Sequence, residues 1–378
     1  MKNLKRIILN KNKGLKKMKK VMIYAYTEFN LGDDLFIKIL CERYPDTQFV
    51  LYAPRQYKVL FEKLNNISFF PSDLLFIKAN NYILRKFGVT NFFRSLTAKN
   101  CDAAVYIGGS LFIQEGNWIK HLENTKSMRI KNKPFFLLGA NFGPFTNHEF
   151  YSKYKDLFRQ FTDICFREKH SHGLFKELNN VRVADDIIFQ LKKLPNRQEE
   201  KNIVISVIKP SFREDLSNYD DIYYQKMRDI AIYFVERGYR VTFMSFCEFQ
   251  GDQEAIEKIT MLIPKNYLNK ISSHFYKTNI DETLEIIANS SFIVATRFHS
   301  MILGWIFNKP VFPIVYSKKM TNVMTDVGFN GLYANMNNIG ELKPNDVFEG
   351  MKTNLIDVSN QIKDAERHFE KLDEYLLK

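Results

Sequence analysis

Short runs of apolar residues alternate with longer stretches of helical period along most of the chain. Val21–Tyr26 is an apolar run of strand character that stops at Asn30-Leu31-Gly32-Asp33-Asp34. Leu35, Phe36, Ile39 and Leu40 then share one helical face, so the segment reads as strand, turn, helix. Gln48–Tyr52, Ala103–Ile107, Phe135–Ala140, Ile164–Phe166 and Val181–Val183 continue the series of strands. The alternation restarts after residue 202 with strands at Ile203–Ile208, Arg240–Phe246, Phe292–Thr296 and Val311–Val315. Helices are expected over Asp220–Arg237, stopped by Gly238, and over Asp252–Leu262, Asp281–Asn289 and His299–Phe307. Gln361–Leu377 reads as one terminal helix.

Strands alternating with helices in two blocks predict an α/β protein with two doubly wound, Rossmann-like domains and a cleft between them. The expected divisions are a disordered basic tail over 1–18, a first α/β domain over 19–191, a linker over 192–202, a second α/β domain over 203–355 and a terminal helix over 356–378. The linker is marked by Pro195 and by Arg197, Glu199, Glu200 and Lys201. A length of 378 residues fits two cores better than one.

Charge changes this picture only at the amino end. The formal net charge is +13, but residues 1–20 hold nine Lys or Arg and no acid, which leaves +4 for the rest. The body is therefore no general polyanion binder, and no nucleic-acid partner is expected. The tail reads as a disordered extension, or as an over-long start with Met18 as the first residue. A touch on nucleic acid or on acidic lipid at a membrane surface is the other, lowest-ranked use such a tail allows. Cys41, Cys101, Cys165 and Cys247 are scattered, with no CxxC, as in a reduced cytosolic protein. No apolar run approaches the ~20 residues of a membrane span. The expected location is the cytoplasm, with its membrane face left open. No cluster has metal-ligand spacing, so neither a metal nor a cofactor is expected.

The candidate chemistry sits where strands end. Ala295-Thr296-Arg297-Phe298-His299-Ser300 spans a strand-to-helix junction, where free helix amides and a guanidinium suit a phosphate or carboxylate. An Arg paired to a carboxylate and a His capping the helix explain the same residues structurally. Tyr316, Lys318 and Lys319 follow the next strand. Asp33 and Asp34 open the first helix, as caps or as acceptors of a hydroxyl proton. Gly108-Gly109-Ser110 permits close approach of backbone to a ligand, without the spacing of a dinucleotide or P-loop motif. Arg167 and Lys209 are further cations after strands, and Asp185-Asp186 reads as a turn closing the first domain.

Taken in order, Asn30-x-Gly32-Asp33-Asp34, Gly108-Gly109-Ser110, Gly143-Pro144, Arg167-x3-Ser171, Asp186-x2-Phe189, Arg297-Phe298-His299 and Tyr316-x2-Lys319 resemble the polysaccharide pyruvyl transferases. The resemblance implies a GT-B-like fold and phosphoenolpyruvate as donor substrate. The product it implies is a cyclic pyruvate ketal on a hexose-containing acceptor of a capsule or exopolysaccharide; whether that acceptor is lipid-linked stays open. It implies His299, Asp33 and Asp34 as catalytic groups. Arg297, Lys319, Tyr316, Arg167, Lys209, Gly108, Gly109, Ser110 and Asn30 would then bind substrate. One departure stands out: family members often carry an Arg soon after the first strand of the second domain, where this chain has Lys209, with Arg213 later. Two other readings compete. One is a GT-B glycosyltransferase with a nucleotide-sugar donor, for which Glu341 and Glu349 have suitable spacing; the other is a non-catalytic sugar- or anion-binding paralogue.

Overall fold

A computed structural model describes residues 18–86, 91–192 and 201–378. Residues 1–17 of the expected basic tail over 1–18 and residues 193–200 of the expected linker over 192–202 lie outside the described residues. The first sheet contains β1 (Lys20–Tyr24), β2 (Gln48–Ala53), β3 (Ile67–Pro71), β4 (Ala103–Ile107), β5 (Phe135–Ala140), β6 (Asp163–Phe166) and β7 (Val181–Val183), in spatial order β3-β2-β1-β4-β5-β6-β7. The second contains β8 (Asn202–Ser206), β9 (Arg240–Ser245), β10 (Ile271–Phe275), β11 (Phe292–Ala295), β12 (Val311–Val315) and β13 (Ala334–Asn335), in order β10-β9-β8-β11-β12-β13. Every pairing between these strands is parallel. The cause is visible in the sequence. The central strands β4, β8, β11 and β12 are buried on both faces, and such strands are covered by helices on either side of a parallel sheet.

Each sheet reverses its strand order once, between β1 and β4 and between β8 and β11. Side chains at the carboxyl ends of those strands open onto a crevice. The helices that border it are α1 (Leu31–Arg43), α4 (Asp252–Met261), α5 (Phe298–Ile306) and α6 (Lys318–Asp326). Two further helices, α2 (Leu75–Lys86) and α3 (Phe92–Lys99), form the crossover from β3 to β4.

The two halves share apolar packing. Leu35, Phe36 and Ile39 of α1, the turn Ile187–Phe189, and Met301, Ile302 and Trp305 of α5 belong to one buried cluster. Phe369 and Leu372 join it from the end of the chain.

The expected single terminal helix is broken. It runs as Ser359–Ala365, a 3-10 turn Glu366–Phe369 and α7 (Glu370–Leu376). The tightened turn buries His368 and Phe369, and the His368 ring reaches the carbonyl of Asp185 at 2.8 Å. Residues 359–376 thereby return to the first sheet. Arg43 pairs with Asp373 at 2.6 Å and Arg182 with Glu370 at 3.1 Å.

Candidate active site

The segments after β1, β4, β5 and β6 of the first sheet and after β8, β9, β11 and β12 of the second meet at one cleft of about 1140 Å³. Asn30 caps α1, its side chain accepting from the Gly32 amide at 3.1 Å. That cap places Asp33 at the cleft wall and Asp34 behind it. Asp33 is half-buried and lines the cleft. Burial raises its carboxyl to about 6, against the pull of Arg167 and Lys319. Asp34 lies on the core side, fully buried, and accepts a hydrogen bond from the Tyr276 hydroxyl at 2.7 Å. Burial pushes its pKa well upward. Of the two carboxyls, only Asp33 lines the cleft.

Arg167 emerges at the end of β6 and is held rigidly. It donates to Asp186 at 2.9 Å and to Asn141 at 2.6 Å. Its guanidinium lies 4.5 Å from the centre of the Phe298 ring, a cation–π contact. Gly109 is what lets it reach this position. A Cβ there would come within 2.5 Å of the Arg167 guanidinium. Gly109 thus makes room for a side chain, and it also lines the cleft. Asp186, expected as part of a turn, caps the 3-10 turn Ile187–Gln190 and anchors Arg167. Gly108 does not line the cleft, while Gly109 and Ser110 do.

On the second sheet, β8 and β11 end in a set of hydroxyl contacts. Ser206 accepts from the Arg297 amide at 3.2 Å and lies 2.6 Å from Ser300 Oγ. Tyr223 donates to Thr296 at 2.9 Å. These fix the turn into α5, so Arg297 and His299 both face the cleft. The Arg297 side chain is almost wholly buried and is bonded to Asp252, at the start of α4, and to Gln250. Burial works against its charge, but Asp252 more than restores it. The pairing of Arg297 with a carboxylate and its place in the cleft therefore hold together.

His299 sits between the halves. Its ring rests on Gly32, where a Cβ would stand 1.6 Å from Nδ1. It meets Phe36 edge-on with centroids 5.6 Å apart. Nε2 lies 3.5 Å from Arg167 Nη1. Burial, then Arg167, Lys319 and Arg297, push the His299 pKa well below its ordinary value, which favours the neutral ring.

Lys319, at the start of α6, crosses toward the first sheet. It is 5.4 Å from the Phe298 ring centre and 3.5 Å from Ser110 Oγ. Burial and the neighbouring Arg167, Arg213 and Arg297 bring its pKa down to about 7. Tyr316 also lines the cleft and stacks against Arg213 at 5.5 Å. Lys209 lines it too, but is paired with Glu254 at 2.7 Å.

Several groups were not singled out from the sequence. Gln250 and Asp252 hold Arg297, Asn141 holds Arg167, and Tyr26, Phe212 and Phe249 line the cleft. Asp252 carried a signal, since an acid opening a helix beside Gly251 was legible as a helix start. Glu341 and Glu349 do not line the cleft, and Glu349 is paired with Lys352 at 2.7 Å. Among the described residues, no group of three or more His, Cys, Asp or Glu is placed to hold a metal ion.

Known proteins of the same architecture include the UDP-GlcNAc 2-epimerase of Methanocaldococcus jannaschii, at 12% identity and TM-score 0.58 over 94% of this chain and 100% of that one. The S. aureus MnaA–UDP co-structure matches at 13% identity and TM-score 0.59, over 95% and 97% of the two chains. At such identities the likeness speaks for the fold alone, a two-domain GT-B arrangement. In sequence, the chain is 23% identical over 253 residues to the amylovoran biosynthesis protein AmsJ of Erwinia amylovora, covering 61% of this chain and 60% of that protein. The chain thus spans about three-fifths of that relative's length. A family profile described as polysaccharide pyruvyl transferase matches residues 30–318, from the cap of α1 to the first residue of α6, a stretch that holds all of the cleft lining except Tyr26 and Lys319, and the chain belongs to the polysaccharide pyruvyl transferase family.

Proposed function

We propose that this protein transfers the enolpyruvyl-derived group of phosphoenolpyruvate to a hexose of a surface polysaccharide or its precursor, forming a cyclic pyruvate ketal and releasing phosphate. The observation that carries this reading is the set of Arg167, Arg297 and Lys319 around one neutral imidazole, with Asp33 lining the same cleft close to Arg167 and Lys319. A donor bearing both phosphate and carboxylate matches three cations in a confined space. The AmsJ relative supports a role in polysaccharide biosynthesis, and the cytoplasm is the proposed site of action. Among the described residues, no helix is long and apolar enough to cross a membrane.

The chemistry follows from the charges. Donor binding brings negative charge to His299 and offsets the cations that keep it neutral, so the ring takes up a proton. His299 then protonates the methylene carbon, and cationic character develops at the carbon bearing phosphate. A sugar hydroxyl adds to that carbon and gives its proton to Asp33. The C–O bond to phosphate breaks, phosphate leaves toward Arg167, Arg297 and Lys319, and a second hydroxyl closes the ketal with loss of its proton. General acid–base help of this type is worth ~10²–10⁴ in rate. Arg213 fills the role that family members give to an Arg after the first strand of the second domain. Both cations are paired, Lys209 with Glu254 at 2.7 Å and Arg213 with Asp215 at 3.2 Å, and it is Arg213 that lies against Tyr316 on the cleft wall.

Incubation with phosphoenolpyruvate and a panel of hexose-containing acceptors tests the reading. Phosphate release together with a pyruvyl ketal mass on the acceptor is expected. Consumption of a nucleotide sugar, with no phosphate released from phosphoenolpyruvate, would sink it in favour of a glycosyltransferase.

The pH dependence is a second check. Asp33 must be deprotonated to accept a proton and Lys319 must be charged to bind the donor. Asp33 is raised to about 6 and Lys319 lowered to about 7. The kcat/KM profile, which reports the free enzyme, is expected to fall below about pH 6 and above about pH 7. Lys319→Arg should retain its charge and flatten the alkaline limb. An alkaline limb unchanged in that variant would remove Lys319 from the donor site.

A further inference from the structure

The crossover from β3 to β4 exposes side chains that a soluble surface normally hides. On α2, Leu75, Phe76, Tyr82 and Ile83 are 85%, 70%, 59% and 52% exposed, whereas Ile77 on the opposite face is 4% exposed. At a helical period these four fall on one arc together with exposed Lys78 and Lys86. On α3, Phe92, Leu96 and Lys99 are exposed at matching spacing. Phe93 joins the two helices, meeting Phe76 at 6.3 Å and Phe92 at 5.4 Å. Grouped exposed apolar residues of this kind mark an interaction surface.

The charge around them selects the occupant. Between Leu74 and Cys101 the sequence has five Lys or Arg (Lys78, Arg85, Lys86, Arg94, Lys99) and no Asp or Glu. Arg94 is turned inward, donating to Asn124 at 2.8 Å and Ser127 at 3.0 Å. Lys78, Lys86 and Lys99 stay at the surface. A second copy of the chain, paired across a two-fold axis, would set this basic face against itself with no carboxylate between. We propose that α2 and α3 form a docking surface for an anionic lipid bilayer. The apolar side chains enter the boundary between headgroups and acyl chains, and the lysines reach from the same arc to the phosphates.

The topology gives the surface a use. α2 starts directly after the carboxyl end of β3, on the same sheet edge as the turns after β1 and β4 that line the cleft. Docking there holds the cleft edge near the membrane, where a lipid-anchored sugar would be presented. That use rests on the proposed transfer reaction; the bilayer binding does not.

Flotation of the full chain with vesicles tests the binding without any turnover. Wild type is expected to float with vesicles of equal parts phosphatidylcholine and phosphatidylglycerol, and not with phosphatidylcholine alone. Phe76→Ser with Ile83→Ser, and separately Lys78→Glu with Lys86→Glu, should each cut the partition coefficient about 10-fold. The basic tail is present in every variant and so cannot produce these differences. Unchanged melting curves confirm that each variant is folded, and the charge pair stands as a second probe if the apolar pair melts early. Three results would overturn the proposal. They are failure of wild type to float with the anionic vesicles, variants that float as wild type does, and a wild-type dimer in light scattering that the Phe76→Ser, Ile83→Ser pair dissolves.

Discussion

Replacing His299 by Ala is expected to lower ketal formation about 10³-fold in a protein that still folds. The imidazole is the group beside Arg167, Lys319 and Arg297 that can gain a proton on donor binding and pass it to carbon. Ala leaves the three cations in place, so the donor should still bind while its methylene carbon goes unprotonated. The loss should therefore appear in kcat more than in KM. Stability should change little. His299 is half-buried at a cleft edge, and its contacts include a glycine, the rings of Phe36 and Phe298 and a guanidinium. A drop in melting temperature of no more than a few degrees is expected. Melting temperature and phosphate release are to be measured on one preparation. A strongly destabilised variant with near-normal turnover would instead make His299 a structural residue.

Gly32→Ala is the second large effect, and it reaches the same ring from the other half of the molecule. The added methyl would sit 1.6 Å from His299 Nδ1, inside any contact distance, so the ring or the start of α1 must move. Displacing a catalytic group by about 1 Å can cost ~10²-fold in rate. Forcing extra volume into a packed contact costs about 1–3 kcal/mol of stability. Both losses are expected together. The combination Gly32→Ala with His299→Ala should recover the stability and not the activity, because the clash is gone while the proton donor is absent. If Gly32→Ala alone kept full activity, the seat of His299 on Gly32 would not matter.

Much of the fold was legible because buried parallel strands are written as continuous apolar runs. β4, β5, β8, β11 and β12 are such runs. β10 is not. Its sequence ISSHF is polar and half exposed at a sheet edge, so no apolar run marks it. The terminal helix was misread as continuous because helical period survives a single 3-10 turn. In the site, Arg297 and His299 were readable from their strand-to-helix junction, as was Lys319 from its place after β12. The residues that hold them were not. Asp252 lies 45 positions from Arg297 and Asn141 lies 26 from Arg167. Local patterning carries no record of partners at such separation. Gly32 and Gly109 were noticed as glycines, but the side chains they make room for come from other elements. Asp34 was indistinguishable from Asp33 in sequence. One step along a helix turns a side chain by about 100°, from cleft wall to core.

The return of residues 359–376 to the first sheet sets an order of assembly during synthesis. The first sheet is complete by Val183, yet Arg43, Tyr44 and Arg182 meet Asp373 and Glu370 only when the last helix has been made. At about 5–20 residues per second, the ribosome needs on the order of 10–40 s to add the second half. Through that interval the nascent first half carries an uncovered apolar seat for Phe369 and Leu372. A chaperone that engages the half-made chain should therefore bind there and leave once α7 arrives.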